Sequence, residues 1–434
     1  MVAWKTEPRR VALVGGKRTP MAKLGAALAS VHVTDLARVA MQQTLDEASW
    51  PADRVDQVVM GNVAPPADAT NPARVAAVQA GIPVDVPALT VQRNCASGME
   101  ALAQAEMLLS ARRCRIVLAG GAESMSTIPL LFPASAMEPF GRLARAQGLT
   151  QKLAALASFR PRHFAPVIGL KQGLTDPLVD MIMGKTGEVL AHEFGITRLA
   201  QDEFALRSHM RACASAAAGV FNEQIAPMYV GPTFKPVTED IGPRKEQTLA
   251  ALAKLKPIFD RKDGSVTVGN SCQVTDGAAM LLVADADFAD AEGLKPVAFI
   301  RGYATAALDP ARMGLGPVFA IAQLLDAAGM TLGDIGLFEI NEAFAAQVLA
   351  CLVALDSDTF AQKHLNREHR IGAINPEILN IDGGAIALGH PVGATGARIT
   401  LNLMHAMKRR GVEWGIASLC VGGGQGAAVL LQLA

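Results

Sequence analysis

Apolar residues in this chain fall into short runs ended by glycine, separated by longer segments with helical spacing. Arg10-Val11-Ala12-Leu13-Val14 reads as a buried first strand closed by a Gly15-Gly16 turn. Val55 to Met60 is a second strand, and Ile116 to Ala119 a short third, closed by Gly120-Gly121. Val266 to Ala284 is further strand-like core. A second start follows Lys295, with strands at Val297 to Ile300, Ile335 to Ile340 and Gly415 to Leu419. Between them the spacing predicts helices over Thr34 to Ser49, Asn71 to Ala80, Met99 to Arg112, Ala200 to Ala218, Thr248 to Lys256 and Pro317 to Ala328. Strands alternating with helices predict α/β layering and exclude a β-sandwich. Gly415 to Ala434 is uncharged and long enough for a membrane span, but its five glycines, three consecutive, predict strand, turn, strand.

The stretch from Gln92 to Ser126 organises the rest. Met99 to Arg112 lacks Pro and Gly, and Asn94 and Ser97 are cap-type residues, so Cys95 sits where the chain enters a buried helix. A free thiol is only ~3% ionised at pH 7. Helix N–H groups and a nearby histidine would favour the thiolate, whereas an ordinary free cysteine is packing. An internal repeat adds to the picture. Ala96-Ser97-Gly98, helix, strand, Gly120-Gly121 matches Ala394-Thr395-Gly396, helix, strand, Gly422-Gly423. Two related α/β halves follow, each presenting a reactive residue just before a buried helix.

Composition narrows the function. Half of the 434 residues are hydrophobic and only 18% charged, so much of the chain is interior or subunit contact. Forty basic residues balance forty acidic ones, which excludes nucleic-acid binding through a basic surface. The cysteines at 95, 114, 213, 272, 351 and 420 form no Cys-x-x-Cys pair, which favours a reducing, cytoplasmic setting over zinc or secreted disulfides. Met1 to Arg10 carries no apolar leader. Gly422 to Ala427 mimics a dinucleotide fingerprint, but seven residues cannot complete the βαβ unit. Gly184-Lys185-Thr186 lacks the leading glycine of a phosphate loop, and no histidine pair has metal spacing.

Cys95, Asn341, His390 and Cys420 each lie on a glycine-bounded turn at a strand end or helix start. Two thiols, an imidazole and an amide suit carbon–carbon bond exchange on a thioester: one thiol holds an acyl group, another moves a proton, and an oxyanion is stabilised. Here the sequence resembles the thiolase family over essentially its whole length. The resemblance is carried by Asn94-Cys95-Ala96-Ser97-Gly98, Gly120-Gly121-Ala122-Glu123-Ser124-Met125-Ser126, Asn341-Glu342-Ala343-Phe344-Ala345-Ala346, Gly389-His390-Pro391-Val392-Gly393-Ala394-Thr395-Gly396 and Cys420-Val421-Gly422-Gly423-Gly424-Gln425-Gly426, in that order.

The resemblance implies an α/β thiolase fold of two similar halves in five layers (αβαβα). The N-terminal half would comprise 1–122 and 266–292, the C-terminal half 293–434, and an inserted loop domain 123–265 would bind coenzyme A. It implies Cys95 as nucleophile, His390 as its activator, Cys420 as acid/base at the α-carbon, and Asn341 holding a water that forms one oxyanion site with His390. Backbone N–H groups of Cys95 and Gly422 would form the other. Met183, Cys272 and Phe344 would line the substrate site, Cys272 replacing the Ser or Thr common there. Coenzyme A would be a substrate, and no cofactor is implied.

The implied reaction is thiolytic cleavage of 3-ketoacyl-CoA in fatty-acid β-oxidation. The alternatives are a short-chain acetoacetyl-CoA thiolase, a non-catalytic lipid-carrying relative, or a condensing enzyme working on an acyl carrier protein. Gln201 to His209, Leu255-Lys256-Pro257 and Asp356-Ser357-Asp358 are similar to β-subunits of fatty-acid oxidation complexes, although many of those carry His at the place of Asn341. Such a chain would form dimers or tetramers and could dock on a multifunctional partner. Residues 139–175 hold six cations, no acid, and Leu149, Leu153 and Leu156 on one helical face. That composition suits either a solvated helix or a peripheral contact with a membrane or partner.

Overall fold

The computed structural model describes residues 10–434, so the charged start Met1 to Arg10 lies, but for Arg10, outside the described residues. Nine strands form one continuous path: β1 (Val11–Arg18), β2 (Gln57–Gly61), β3 (Ala88–Val91), β4 (Ile116–Glu123), β5 (Thr275–Asp285), β6 (Ala298–Ala307), β7 (Leu337–Ile340), β8 (Trp414–Val421) and β9 (Gln425–Leu433). Their order is β7-β8-β9-β6-β1-β5-β4-β2-β3. β1 meets β6 antiparallel through Val11–Leu13 and Ala298–Ile300, and that seam joins two half-sheets of like design. Outward from it each half runs antiparallel, antiparallel, then parallel, the parallel pairs being β4-β2 on one side and β8-β7 on the other, and β3 extends the first half by one more parallel strand.

The principal helices are α1 (Val33–Glu47), α2 (Pro72–Gln79), α3 (Ser97–Ser110), α4 (Met137–Arg145), α5 (Leu149–Ala157), α6 (Met183–Glu193), α7 (Arg198–Ala217), α8 (Gly316–Ala328), α9 (Ala345–Leu355) and α10 (Thr395–Arg410). Local chemistry explains several ends. Asn71 caps α2 by accepting from Arg74 N–H, with Pro72 at the first helical position. Gly411 ends α10 at φ +62°.

Strand residues alternate between two cores, as period-2 geometry requires. Ala279, Leu281 and Val283 of β5 face α3 and α10, while Ala278, Met280, Leu282 and Ala284 face the core that holds α1 and α2. In the other half Ala427, Val429 and Leu431 of β9 face α3 and α10, while Ala428 and Leu430 face α8 and α9. The result is five layers, αβαβα, with α3 and α10 as the middle one. Each fully buried leucine there contributes roughly 1.5–3 kcal/mol.

The repeat explains how α3 meets α10. A β-carbon on Gly98 would fall 2.8 Å from Ala397 N, and one on Gly396 would overlap Met99 N. The equivalent glycines thus let the two helix starts touch backbone to backbone, reciprocally. The second glycine pairs are not equivalent. Gly120 and Gly121 lie inside β4, which continues to Glu123 instead of stopping at Ala119. A β-carbon at Gly121 would overlap the Gly393 carbonyl, so this pair serves close approach, whereas Gly422 and Gly423 form a turn after β8. The expected Gly15-Gly16 turn is likewise absent: β1 runs on to Arg18 with a register shift between Leu13 and Gly15. Nor do Asn94 and Ser97 cap α3, whose N-cap is Ala96 without a side-chain bond.

Between β4 and β5 the chain forms α4 to α7 and small hairpins. Leu149, Leu153 and Leu156 do share a face of α5, and they are 74%, 57% and 53% exposed. Nearby, Phe132, Phe140, Phe159 and Phe164 make mutual ring contacts.

Candidate active site

Cys95 lies in the loop between β3 and α3, held by its neighbours on both sides. Asn94 takes φ +42°, a left-handed conformation that Asn tolerates better than most residues. Its Nδ2 donates to the Gly422 carbonyl at 2.8 Å. Ser97 Oγ donates to the Asn94 carbonyl at 2.7 Å and accepts from Arg93 N–H at 2.9 Å. The Arg93 guanidinium in turn donates to Glu100 at 2.7 Å and to Gln425 of the second half at 2.9 Å.

Cys420 stands near the end of β8, before the Gly422–Gly424 turn, in which Gly423 and Gly424 take φ +88° and +75°. Parallel β7 ends beside it, and Asn341 N–H donates to the Ser418 carbonyl at 2.9 Å. The Asn341 side chain is buried, and neither its Oδ1 nor its Nδ2 has a partner among the described residues. An orphaned buried amide is costly unless something fills the space it faces. That is what a site awaiting water or substrate would leave.

The segment around Cys272 links these pieces to the histidine. Cys272 N–H donates to the Ala343 carbonyl at 3.0 Å, and His390 N–H faces the Gln273 carbonyl at 3.3 Å and Thr275 Oγ1 at 3.1 Å. His390 Nδ1 lies 2.6 Å from Thr395 Oγ1, and the Thr395 hydroxyl gives its single hydrogen to the Pro391 carbonyl at 2.9 Å. Thr395 can therefore only accept from the ring, which assigns the proton to Nδ1 and the lone pair to Nε2. Nε2 is buried and has no partner among the described residues.

Two buried carboxylates fix the loops. Glu123, at the end of β4, accepts from Asn62 Nδ2, Val63 N–H and Gly393 N–H, each at 2.9 Å, and from Ala64 N–H at 3.1 Å. It thereby ties the His390 loop to the first half. Glu342 accepts from the Ser208 hydroxyl at 2.6 Å, Asn380 Nδ2 at 2.8 Å and Ile386 N–H at 3.2 Å, which holds the Asn341 loop.

Burial governs the resting charges. It raises the Cys95 pKa, although the backbone N–H groups of Gly422 and of Cys95 itself favour the thiolate. It pushes the Cys420 thiol well above its ordinary value and Cys272 up to about 12. It depresses His390 to about 3, with the Arg398 cation adding to the effect. Backbone N–H groups do favour the thiolate, but they belong to Gly422 and Cys95 and not to α3, and desolvation outweighs them, so both thiols and the imidazole rest neutral.

The eight residues singled out from sequence are brought around this one region. Cys95, Cys272 and Cys420 lie close enough for their charges to interact, and all six cysteines are free. Cys420 and Phe344 share an apolar cluster against which Met183 packs. A β-carbon on Gly422 would fall 3.2 Å from the Met183 sulfur. Sequence reasoning took Asn94 for a helix cap and gave no role to Glu123, Glu342 or Thr395, although each lies inside a quoted motif. It missed Asp176 altogether, which carries no local signal.

Two thiols and a neutral imidazole, with backbone N–H groups that favour one thiolate, suit an acyl-transferring enzyme on a duplicated α/β scaffold. Comparison with known proteins agrees. The sequence matches the thiolase N-terminal domain over residues 11–287 and the thiolase C-terminal domain over 294–433. It is 38% identical over 424 residues to the 3-ketoacyl-CoA thiolase of Salmonella choleraesuis (strain SC-B67), covering 98% of this chain and 97% of that one. It is 37% identical over 425 residues to the 3-ketoacyl-CoA thiolase of Yersinia pestis (strain Pestoides F), with the same coverage. Human mitochondrial 3-ketoacyl-CoA thiolase in complex with CoA superposes with a TM-score of 0.85 at 35% identity, covering 99% of each chain. Bacillus anthracis acetyl-CoA acetyltransferase gives 0.86 at 37%, covering 99% of this chain and all of the other. The chain belongs to the thiolase family and is an acyltransferase.

Proposed function

We propose that this thiolase cleaves 3-ketoacyl-CoA with coenzyme A, giving acetyl-CoA and a shortened acyl-CoA, as in fatty-acid β-oxidation. The observation that carries the reading is the Cys95 thiol set beside the Gly422 turn, whose carbonyl Asn94 Nδ2 reaches at 2.8 Å, with the N–H groups of Cys95 and Gly422 both favouring negative charge at that sulfur. An acyl group on that sulfur would place its developing oxyanion beside both donors. His390 Nε2 takes the Cys95 proton as sulfur attacks the 3-keto carbon. The Cα–Cβ bond then breaks, and Cys420 protonates the departing acetyl-CoA enolate. The His390 proton then passes to the Cys420 thiolate, which restores both groups. Coenzyme A gives its thiol proton to the freed Nε2 and attacks the acyl-Cys95 thioester, and the departing Cys95 thiolate takes that proton back from His390 as the acyl-CoA is released. Asn341, whose amide is unpartnered, would hold a water in the second oxyanion site.

Mass measurement of the trapped Cys95 adduct with 3-ketoacyl-CoA substrates of increasing length tests the reading. An adduct of acyl minus acetyl mass on Cys95 is expected, and its absence with every substrate would overturn it. A second reading is acetoacetyl-CoA thiolysis alone, favoured by the equal likeness to an acetyl-CoA acetyltransferase. Turnover confined to acetoacetyl-CoA would select it.

We further propose the inserted 123–265 segment as the coenzyme A-binding domain, and assembly into dimers or tetramers through the half-buried β3, which ends the strand order. The exposed Leu149, Leu153 and Leu156 among the cations of 139–175 support a partner or membrane contact at that face. Six free thiols suit a reducing cytoplasm. No helix among the described residues is long and apolar enough to cross a membrane.

A further inference from the structure

We infer that Asn94 and Asp176 are positioning residues that grip the peptide between Gly422 and Gly423 from opposite sides and so anchor the turn whose preceding peptide carries the Gly422 N–H. The inference rests on the oxyanion reading of that N–H given above. Asn94 Nδ2 donates to the Gly422 carbonyl at 2.8 Å, and Gly423 N–H donates to Asp176 Oδ2 at 2.9 Å. The carbonyl and the N–H of one trans peptide point in opposite directions, so two such bonds fix the rotation of its plane. Three successive glycines need that restraint, because glycine gives the backbone its widest freedom.

The two grips come from different parts of the chain. Asn94 precedes the nucleophile and holds a left-handed φ of +42° while reaching the turn. Asp176 is 2% exposed and belongs to a small hairpin in which Thr175 pairs with Ile182 and Asp176 with Met181. Its other oxygen accepts from Leu178 N–H at 2.8 Å, so the carboxylate is itself held in place. Met183, next along from that hairpin, places its sulfur 3.2 Å from where a Gly422 β-carbon would stand. The inserted segment therefore reaches the catalytic turn through Asp176 and shapes it without touching the reacting atoms. Pre-set N–H donors lower the barrier only if they do not have to reorganise, and this grip supplies the rigidity.

The test uses the full-length enzyme with Asn94→Gly, Asp176→Ala and the double variant, measuring kcat and KM for thiolysis and the rate of Cys95 alkylation by iodoacetamide. Glycine tolerates the positive φ at 94, so backbone strain does not confuse that variant. Alkylation forms no oxyanion and reports only on the thiol. The expected result is a fall in kcat of about 10- to 100-fold in each single variant. KM and alkylation rate should stay within about twofold, and the double variant should be little worse than the poorer single one, because both bonds hold one peptide. Unchanged kcat in both single variants, with turnover abolished in Cys95→Ser, overturns the grip and leaves the nucleophile reading intact. Alkylation falling in parallel with kcat also overturns it, since the loop would merely have loosened. Turnover surviving in Cys95→Ser would instead overturn the underlying reading.

Discussion

The loops that start α3 and α10 are related in sequence and meet backbone to backbone, yet they carry opposite chemistry. One presents the Cys95 thiol and the other the His390 imidazole. Burial raises the first pKa and lowers the second, so both groups rest neutral. Their supports also differ. Cys95 is set by a left-handed Asn94 and the bonds of Arg93 to Glu100 and Gln425, whereas His390 is set by Thr395, the first residue of its own helix. A duplicated scaffold thus supplies position, and a few unshared side chains supply proton affinity. Desolvation keeps the acid and the base apart in charge until a substrate changes their surroundings.

The largest test of that contrast removes the thiol. Cys95→Ser is expected to cost about 10³-fold or more in turnover and to leave no acyl adduct by mass, with the circular dichroism spectrum unchanged. Replacing the other partner, His390→Gln, should lower kcat by about 10²- to 10⁴-fold, read in steady-state thiolysis. Next comes the shared scaffold. Gly396→Ala puts a methyl into Met99 N and should destabilise the fold by about 1–3 kcal/mol in denaturant titration, because α3 and α10 cannot part without opening the central layer.

A smaller effect should follow Thr395→Val, which keeps the shape but removes the acceptor for Nδ1–H. About a tenfold loss of kcat is expected, with Thr395→Ser near wild type and a shifted ring-nitrogen NMR signal in the valine variant. The smallest is pH-dependent stability. His390 has a folded pKa of about 3 against an ordinary 6.5, so the folded state binds fewer protons between those values and stability falls as pH drops through that window. His390→Gln should make acid unfolding less steep by up to about one proton, with His209 and His405, both lowered to about 4, keeping their share.

Much of this was legible in the chain because the thiolase blocks are local and the strands are short and strongly apolar. The five layers and the gathering of Cys95, Asn341, His390 and Cys420 follow from those. Glycine was the weak point. Gly15-Gly16 and Gly120-Gly121 read as turns because a missing side chain signals either flexibility or crowding, and only the neighbouring backbone distinguishes them. For Gly121 the neighbour is the Gly393 carbonyl, 272 positions further along the chain. The resting charge of Cys95 was only half legible for a related reason. A helix start is visible in sequence, but the desolvation that keeps the thiol protonated is set by the whole tertiary structure. Asp176 was invisible because its bond to Gly423 spans 247 positions.

The seam between β1 and β6 carries a consequence for how this molecule comes alive. The sulfur that receives the acyl group is made early in synthesis, while the base, the second sulfur and the glycine turn emerge within the last few dozen residues. A nascent chain or a fragment lacking that tail has nothing to catalyse with, however well its first portion folds. Activity accordingly reports completion of the whole polypeptide, and truncation near the C-terminus should silence the enzyme outright, with no weakened form in between.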